Sequence, residues 1–210
     1  MPTRGLKRIC EDFRKDSNRL AKRFCSPLPT SPPYDRTCPA IHTDAQALLV
    51  LYLQTAWAEY CRALVLYSLM GATTSAGRRL VSPLQRSSLP DAQARLTAVA
   101  KSVAEAMGVT GQVWHSHEFV IRMVEGLGIQ NQNEIALPLE ADVVVGHLNG
   151  VRNYVAHPNG DALRRFDRVA SAYGLPGADI GTFLNHAPQG SPLFVAWIQQ
   201  LQQLASRVSI

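Results

Sequence analysis

Three side chains in one short stretch suit chemistry on a phosphodiester. They are Arg152, Asn153 and His157, within Val151-Arg152-Asn153-Tyr154-Val155-Ala156-His157-Pro158. RNA carries its own nucleophile, the ribose 2′-hydroxyl. Cleavage needs one group to take that proton, one to protonate the leaving 5′-oxygen, and a cation against the crowded phosphate. An imidazole can do either proton transfer near neutral pH, so His157 suits the first or second task. Arg152 suits the third, and Asn153 can orient the phosphate or the 2′-hydroxyl. This scheme needs no metal and no cofactor. One copy of each group is thin for the work, whereas two copies meeting across a homodimer double them. The same residues also read as a helix-capping histidine beside a surface arginine.

The element that must carry these groups is a helix over residues 139–157, stopped by Pro158 and Asn159-Gly160. At about 100° per residue, Val144, Leu148, Val151 and Val155 fall on one stripe, which must face a core. Gly146, Gly150, Asn153 and His157 fall on the opposite stripe, with Arg152 and Asn149 on the flank. A glycine inside a helix costs roughly 1 kcal/mol against alanine, so two on one face need a reason. Either Gly146 and Gly150 form a two-fold dimer contact, or another helix of the same chain crosses close by.

Elsewhere the hydrophobic period is helical, and no period-2 strand pattern persists. The fold class is therefore all-α. Residues 5–25 read as a basic helix. Pro27, Pro29, Pro32, Pro33 and Pro39 mark residues 26–42 as a linker. A long apolar helix follows over 43–70, capped by Thr43 or Asp44 and closed at Gly71. Residues 71–89 read as a loop with a short helical turn near 77–85. Further helices are expected over 90–107, 112–126, 161–173 and 192–208, with a polar loop at 130–138 and a turn at 178–186. The division is thus a basic helix and linker over 1–42 and a helical domain over 43–210.

Residues 1–25 hold eight Lys/Arg against three acidic side chains, which accounts for the whole formal net charge of +5. Such an arm, with Lys7, Arg8, Arg14, Lys15, Lys22 and Arg23, favours a polyanion and should bind more weakly as salt rises. A merely solvated helix is the other reading. Cys10, Cys25, Cys38 and Cys61 lie at no metal-finger spacing, so reduced thiols in a cytoplasmic protein are expected. Residues 45–71 are apolar enough to raise a membrane reading, but Glu59 and Arg62 lie mid-run, three apart, and can pair on one face. A core helix and no membrane partner are expected.

Arg-Asn-x-x-x-His-Pro closing a buried helix resembles the signature of HEPN (higher eukaryotes and prokaryotes nucleotide-binding) ribonucleases. The order of elements is similar too: a long apolar helix with an acidic residue in Trp57-Ala-Glu59-Tyr60, intervening helices, then the motif. The resemblance covers roughly residues 43–208 and is most similar to the prokaryotic RiboL-PSP-HEPN/MAE-like ribonuclease branch, found beside toxin–antitoxin and anti-phage loci. It implies an HEPN-type helical bundle with an additional N-terminal basic helix. It also implies a homodimer with a composite site, and metal-independent endoribonuclease activity on RNA in a toxin or defence effector, with an antitoxin or defence-system protein as partner. Arg152, Asn153 and His157 match the motif position by position. Glu59 is carried over as an acidic neighbour of the site, with Tyr154 and Asn149 as supporting residues.

Many HEPN domains are not nucleases, so the alternative is a non-catalytic interaction or nucleotide-binding module that regulates a partner. A DNA-binding regulator using the basic arm is a third reading, weakened by the lack of a helix-turn-helix. His115-x-His117 invites a metal, but on a helix the two rings point about 200° apart and share one ion poorly. His147 and His186 read as surface or cap residues.

Overall fold

The computed structural model describes residues 5–26, 39–74, 77–86, 88–111, 113–130, 132–188 and 190–209. The protein is an all-α bundle. Among the described residues there are nine helices: α1 Leu6–Cys25, α2 Pro39–Leu69, α3 Leu89–Ala106, α4 His117–Gly126, α5 Gln132–Ala141, α6 Val144–Ala156, α7 Gly160–Ala172, α8 Ile180–Asn185 and α9 Leu193–Val208. The chain over 27–38, with Cys38 and most of the expected linker, lies outside the described residues. Cys10, Cys25 and Cys61 are free thiols.

α2 is the axis of the bundle. Val50, Leu53, Trp57, Cys61, Leu64, Val65 and Leu69 along it are buried, and α1, α3, α4, α6, α8 and α9 pack around it. It begins at Pro39, four residues before the expected start, so Thr43 and Asp44 lie inside the helix rather than at its cap. Proline is well tolerated at a first helical position, where no N–H bond is needed. The far end closes as expected. Gly71 takes φ +77, its N–H bonds to Ser68 O, and Ala72 N–H bonds to Tyr67 O. Those two bonds satisfy the last carbonyls of the helix. No helix among the described residues is long and apolar enough to cross a membrane.

α1 lies in the same core as the rest of the bundle. Its stripe of Leu6, Ile9, Phe13, Leu20 and Phe24 is buried against α2 and α9. Phe13 meets Trp57 and Tyr60 at ring separations of 5.6 and 5.2 Å, and Phe24 stacks on Phe194 at 4.8 Å. Residues 77–85 form no helix, and one hydrogen-bonded turn lies among them, where Gln85 N–H bonds to Ser82 O at 3.0 Å. A short bridge of Thr73 with Arg79 and the burial of Leu80 hold that loop instead.

The motif helix is shorter than expected. Residues 130–138 are mostly helix α5 rather than polar loop, and Leu139 to Ala141 belong to α5. Ile135 and Leu139 share one buried face there, which outweighs the N–H bond that Pro138 cannot make. The chain then breaks at Asp142 and Val143, where the Asp142 carboxylate accepts from Val144 N at 3.0 Å and restarts the backbone as α6. Serine, asparagine or aspartate caps start the neighbouring elements. Ser116 accepts from Phe119 N, Asn159 from Ala162 N and Asp179 from Thr182 N.

Candidate active site on the α6 helix

α6 has the expected back. Val144, Val145, Leu148 and Val151 are buried and hold the helix against α2 and α9. Its polar groups open to two sides.

On the α2 side, Arg152 lines a cleft of about 320 Å³ with Gln54, Glu59, Arg62, Trp114 and His115. Glu59 and Arg152 thus line the same cleft. Among the described residues Glu59 and Arg62 form no ion pair, although they lie three apart. His115 is not on a helix. α4 begins at His117 with Ser116 as its cap, so the helical angle used to separate His115 from its neighbours does not apply. Burial pushes the His115 imidazole below its ordinary pKa, and the Arg152 guanidinium pushes it further. It is therefore neutral at pH 7. Replacing Arg152 with alanine removes the smaller of these causes. The His115 pKa should then rise part of the way towards about 6.5, read from its ring protons in an NMR titration. An unmoved titration would mean that the guanidinium does not act on that ring.

On the α7 side, Gly146, His147, Asn149, Gly150, Asn153, Arg165 and Arg168 line a groove of about 320 Å³. It continues into a cleft of about 220 Å³ with Asn153, His157, Asn159, Asp161 and Arg165. Asn153 and Arg165 belong to both. Gly150 has a close neighbour within the chain: a Cβ there would come within 3.1 Å of Val169 Cγ2 on α7, so a larger residue would make the helix crossing give by a few tenths of an ångström. Gly146 meets nothing within 4 Å and lies open. Asn149 accepts from Gln54 Nε2 at 3.2 Å. Tyr154 stacks on Phe166 at 4.7 Å with nearly parallel rings, and it lines none of these clefts.

The three motif residues are therefore not gathered in one cleft of a single chain. Arg152 faces α2, and His157 faces the α7 side, where the backbone leaves the helix at φ −142 and ψ 71. Asn153 joins them. Its Oδ1 accepts from Arg152 Nη1 at 3.2 Å, its carbonyl accepts from His157 N at 2.9 Å, and its side chain shares the cleft of His157.

A fixed hydrogen-bond chain supports the groove. Fully buried Trp197 donates from Nε1 to Tyr173 Oη at 2.9 Å, and Tyr173 Oη lies 3.0 Å from His147 Nδ1. Indole nitrogen only donates. The tyrosine hydroxyl therefore accepts from Trp197, and it pairs with His147 Nδ1 as donor or as acceptor according to the imidazole tautomer. Burial lowers the pKa of His147, against the opposing charge of Asp142, which favours the neutral ring. Tyr173→Phe would leave the Trp197 N–H without its acceptor. It should lower stability by about 1–3 kcal/mol, measured by urea unfolding.

Comparison with known proteins finds no match. No family model, no curated protein and no solved structure matches this chain. The case for a family therefore stands on Arg152, Asn153 and His157 themselves. The six cations expected to bind nucleic acid all lie exposed on the outer face of α1, away from α6. Lys15 pairs with Asp12 at 3.9 Å, and Arg14 donates to Ser206 Oγ at 2.8 Å. The charged α1 residues that line a further cleft with Glu59 are Asp12 and Asp16, both acidic. Sequence reasoning gave His115 and His147 no part in the site and missed Arg165 and Arg168. The arginines had a signal, because Arg165 and Arg168 lie one turn apart on the helix that follows the motif. His186 does sit at a helix end, as the C-cap of α8. Among the described residues no group of His, Cys, Asp and Glu is placed to hold a metal ion.

Proposed function

We propose that this chain is an HEPN-type, metal-independent endoribonuclease. It acts in the cytoplasm as a homodimer, as a toxin or anti-phage effector restrained by a partner protein. The observation that carries this reading is the exposed end of α6. There Arg152, Asn153 and His157 are linked through Asn153 and open onto clefts lined by Arg62, Arg165 and Arg168.

In the proposed reaction an imidazole takes the 2′-hydroxyl proton, and the 2′-oxygen bonds to phosphorus. The bond from phosphorus to the 5′-oxygen breaks, and a protonated imidazole supplies that oxygen's proton. Arg152 balances the charge on the phosphate. His157 supplies one imidazole, and a second copy of the chain supplies another. Exposed Leu48 and Tyr52, one turn apart on α2 beside Leu51 and Thr55 of the Arg152 cleft, give a second copy an apolar contact there.

The non-catalytic alternative is favoured by one observation: within one chain Arg152 and His157 line different clefts. The deciding experiment incubates the protein with transfer RNA in EDTA and analyses the new ends. The proposal expects a 2′,3′-cyclic phosphate opposite a 5′-hydroxyl, and no cut where a single 2′-deoxynucleotide replaces the cleaved position. No cleavage at all would give the lead to the binding module, and cleavage that persists at the 2′-deoxy position would overturn the 2′-hydroxyl mechanism.

A further inference from the structure

The groove between α6 and α7 has features that the Arg152–His157 chemistry does not use. Arg165 and Arg168 lie exposed on one face of α7, and among the described residues neither pairs with an acidic side chain. The neighbouring acids are occupied. Asp161 pairs with Arg164, the Asp167 carboxylate accepts from Gly177 N at 2.9 Å, and Asp142 pairs with Arg207 at 3.0 Å. The floor is bare backbone at Gly146. Asn149 and Asn153 add amide groups along one wall. At the far end the Trp197–Tyr173 chain anchors the His147 imidazole through Nδ1. Guanidinium groups free of carboxylates, amides and an anchored imidazole above a floor without side chains match a run of phosphate oxygens. From His147 to His157 the helix rises about 15 Å, enough for two or more successive phosphates.

We propose that this α6–α7 groove is the track of the RNA backbone, with Arg165 and Arg168 binding successive phosphates and His147 beside the one farthest from His157. The inference rests on the ribonuclease reading for the identity of its ligand. It adds the path by which the strand reaches His157. It also assigns the main phosphate contacts to α7 rather than to the basic face of α1.

The test uses the full-length protein and a fluorescent 2′-O-methyl oligoribonucleotide, which cannot be cut, so binding is read apart from cleavage. Arg165→Gln/Arg168→Gln should bind about tenfold or more weakly, with a salt slope lower by about 1.4, the value for two lost contacts to a single strand. Gly146→Leu should also weaken binding by filling the floor. Its unfolding temperature should not fall, because Gly146 is exposed and a Cβ there meets nothing within 4 Å. Lys7→Gln/Arg8→Gln/Lys22→Gln/Arg23→Gln should bind nearly as well as the unaltered protein. The proposal is overturned if the unaltered protein does not bind the oligonucleotide. It is equally overturned if the α7 double variant binds normally, or if only the α1 variant loses affinity. If the groove variants lose binding but unmodified RNA is never cut, the ribonuclease reading falls and the groove assignment stands.

Discussion

Replacing His157 with alanine is expected to slow RNA cleavage by about 10²–10⁴-fold, the usual worth of a general acid or base. That corresponds to about 3–5 kcal/mol of transition-state stabilisation. The fold should not notice. His157 is exposed, and its backbone N–H bonds to Asn153 O, which alanine keeps. Unfolding should therefore shift by no more than about 0.5 kcal/mol. Arg152→Ala should cost about 10²–10³-fold, as for a lost cation or donor at a developing oxyanion. Arg152→Lys should recover little, because an ammonium cannot both bond Asn153 Oδ1 and present a planar fork to a phosphate. The double variant should be little worse than His157→Ala alone, since groups that act as a unit are not additive. Stopped cleavage assays at matched purity and RNA concentration check all four variants. A His157→Ala protein that cuts at the unaltered rate removes His157 from the chemistry.

The sequence carried the site's helix better than its surroundings. The angular stripe of Val144, Leu148 and Val151 sits in the core as expected, because three buried aliphatic residues one turn apart leave a helix little choice of face. The start of that helix was harder to see. Leu139 belongs to the same apolar pattern, yet it lies across the break that Asp142 makes by bonding Val144 N, and a local carboxylate bond has no periodic signature. Pro138 argued for loop, whereas the burial of Ile135 beneath it decided for helix. His115 was in view but was assigned a helical angle. Ser116 starts α4 just after it and leaves the ring in a turn facing Arg152. Which side of α6 each polar group faces depends on where α2 and α7 cross it. That placement is tertiary, so the separation of Arg152 from His157 could not be read from their spacing alone.

Deleting residues 1–25 is expected to abolish cooperative folding, although by sequence they look like a detachable basic arm. The segment places Leu6, Ile9, Phe13, Leu20 and Phe24 in the common core. Each such side chain contributes about 1.5–3 kcal/mol when buried, so together they rival the whole net stability of about 5–15 kcal/mol of a domain. The deletion also exposes Trp57, Tyr60 and Phe194, whose rings rest on Phe13 and Phe24. Phe13→Ala alone should cost about 3–5 kcal/mol, read as a lower urea midpoint with an unchanged slope. A truncated chain that still unfolds cooperatively, near the midpoint of the full chain, would show that α1 does not support the core. The consequence for function is direct. Loss of RNA or DNA binding on truncation would report unfolding rather than a lost contact. The charge of α1 is properly tested by neutralising Lys7, Arg8, Lys22 and Arg23, which are exposed and leave the buried stripe intact. Because the two faces of this one helix separate stability from charge, a charge-neutral α1 that still folds can say whether its cations bind RNA or only keep the helix in water.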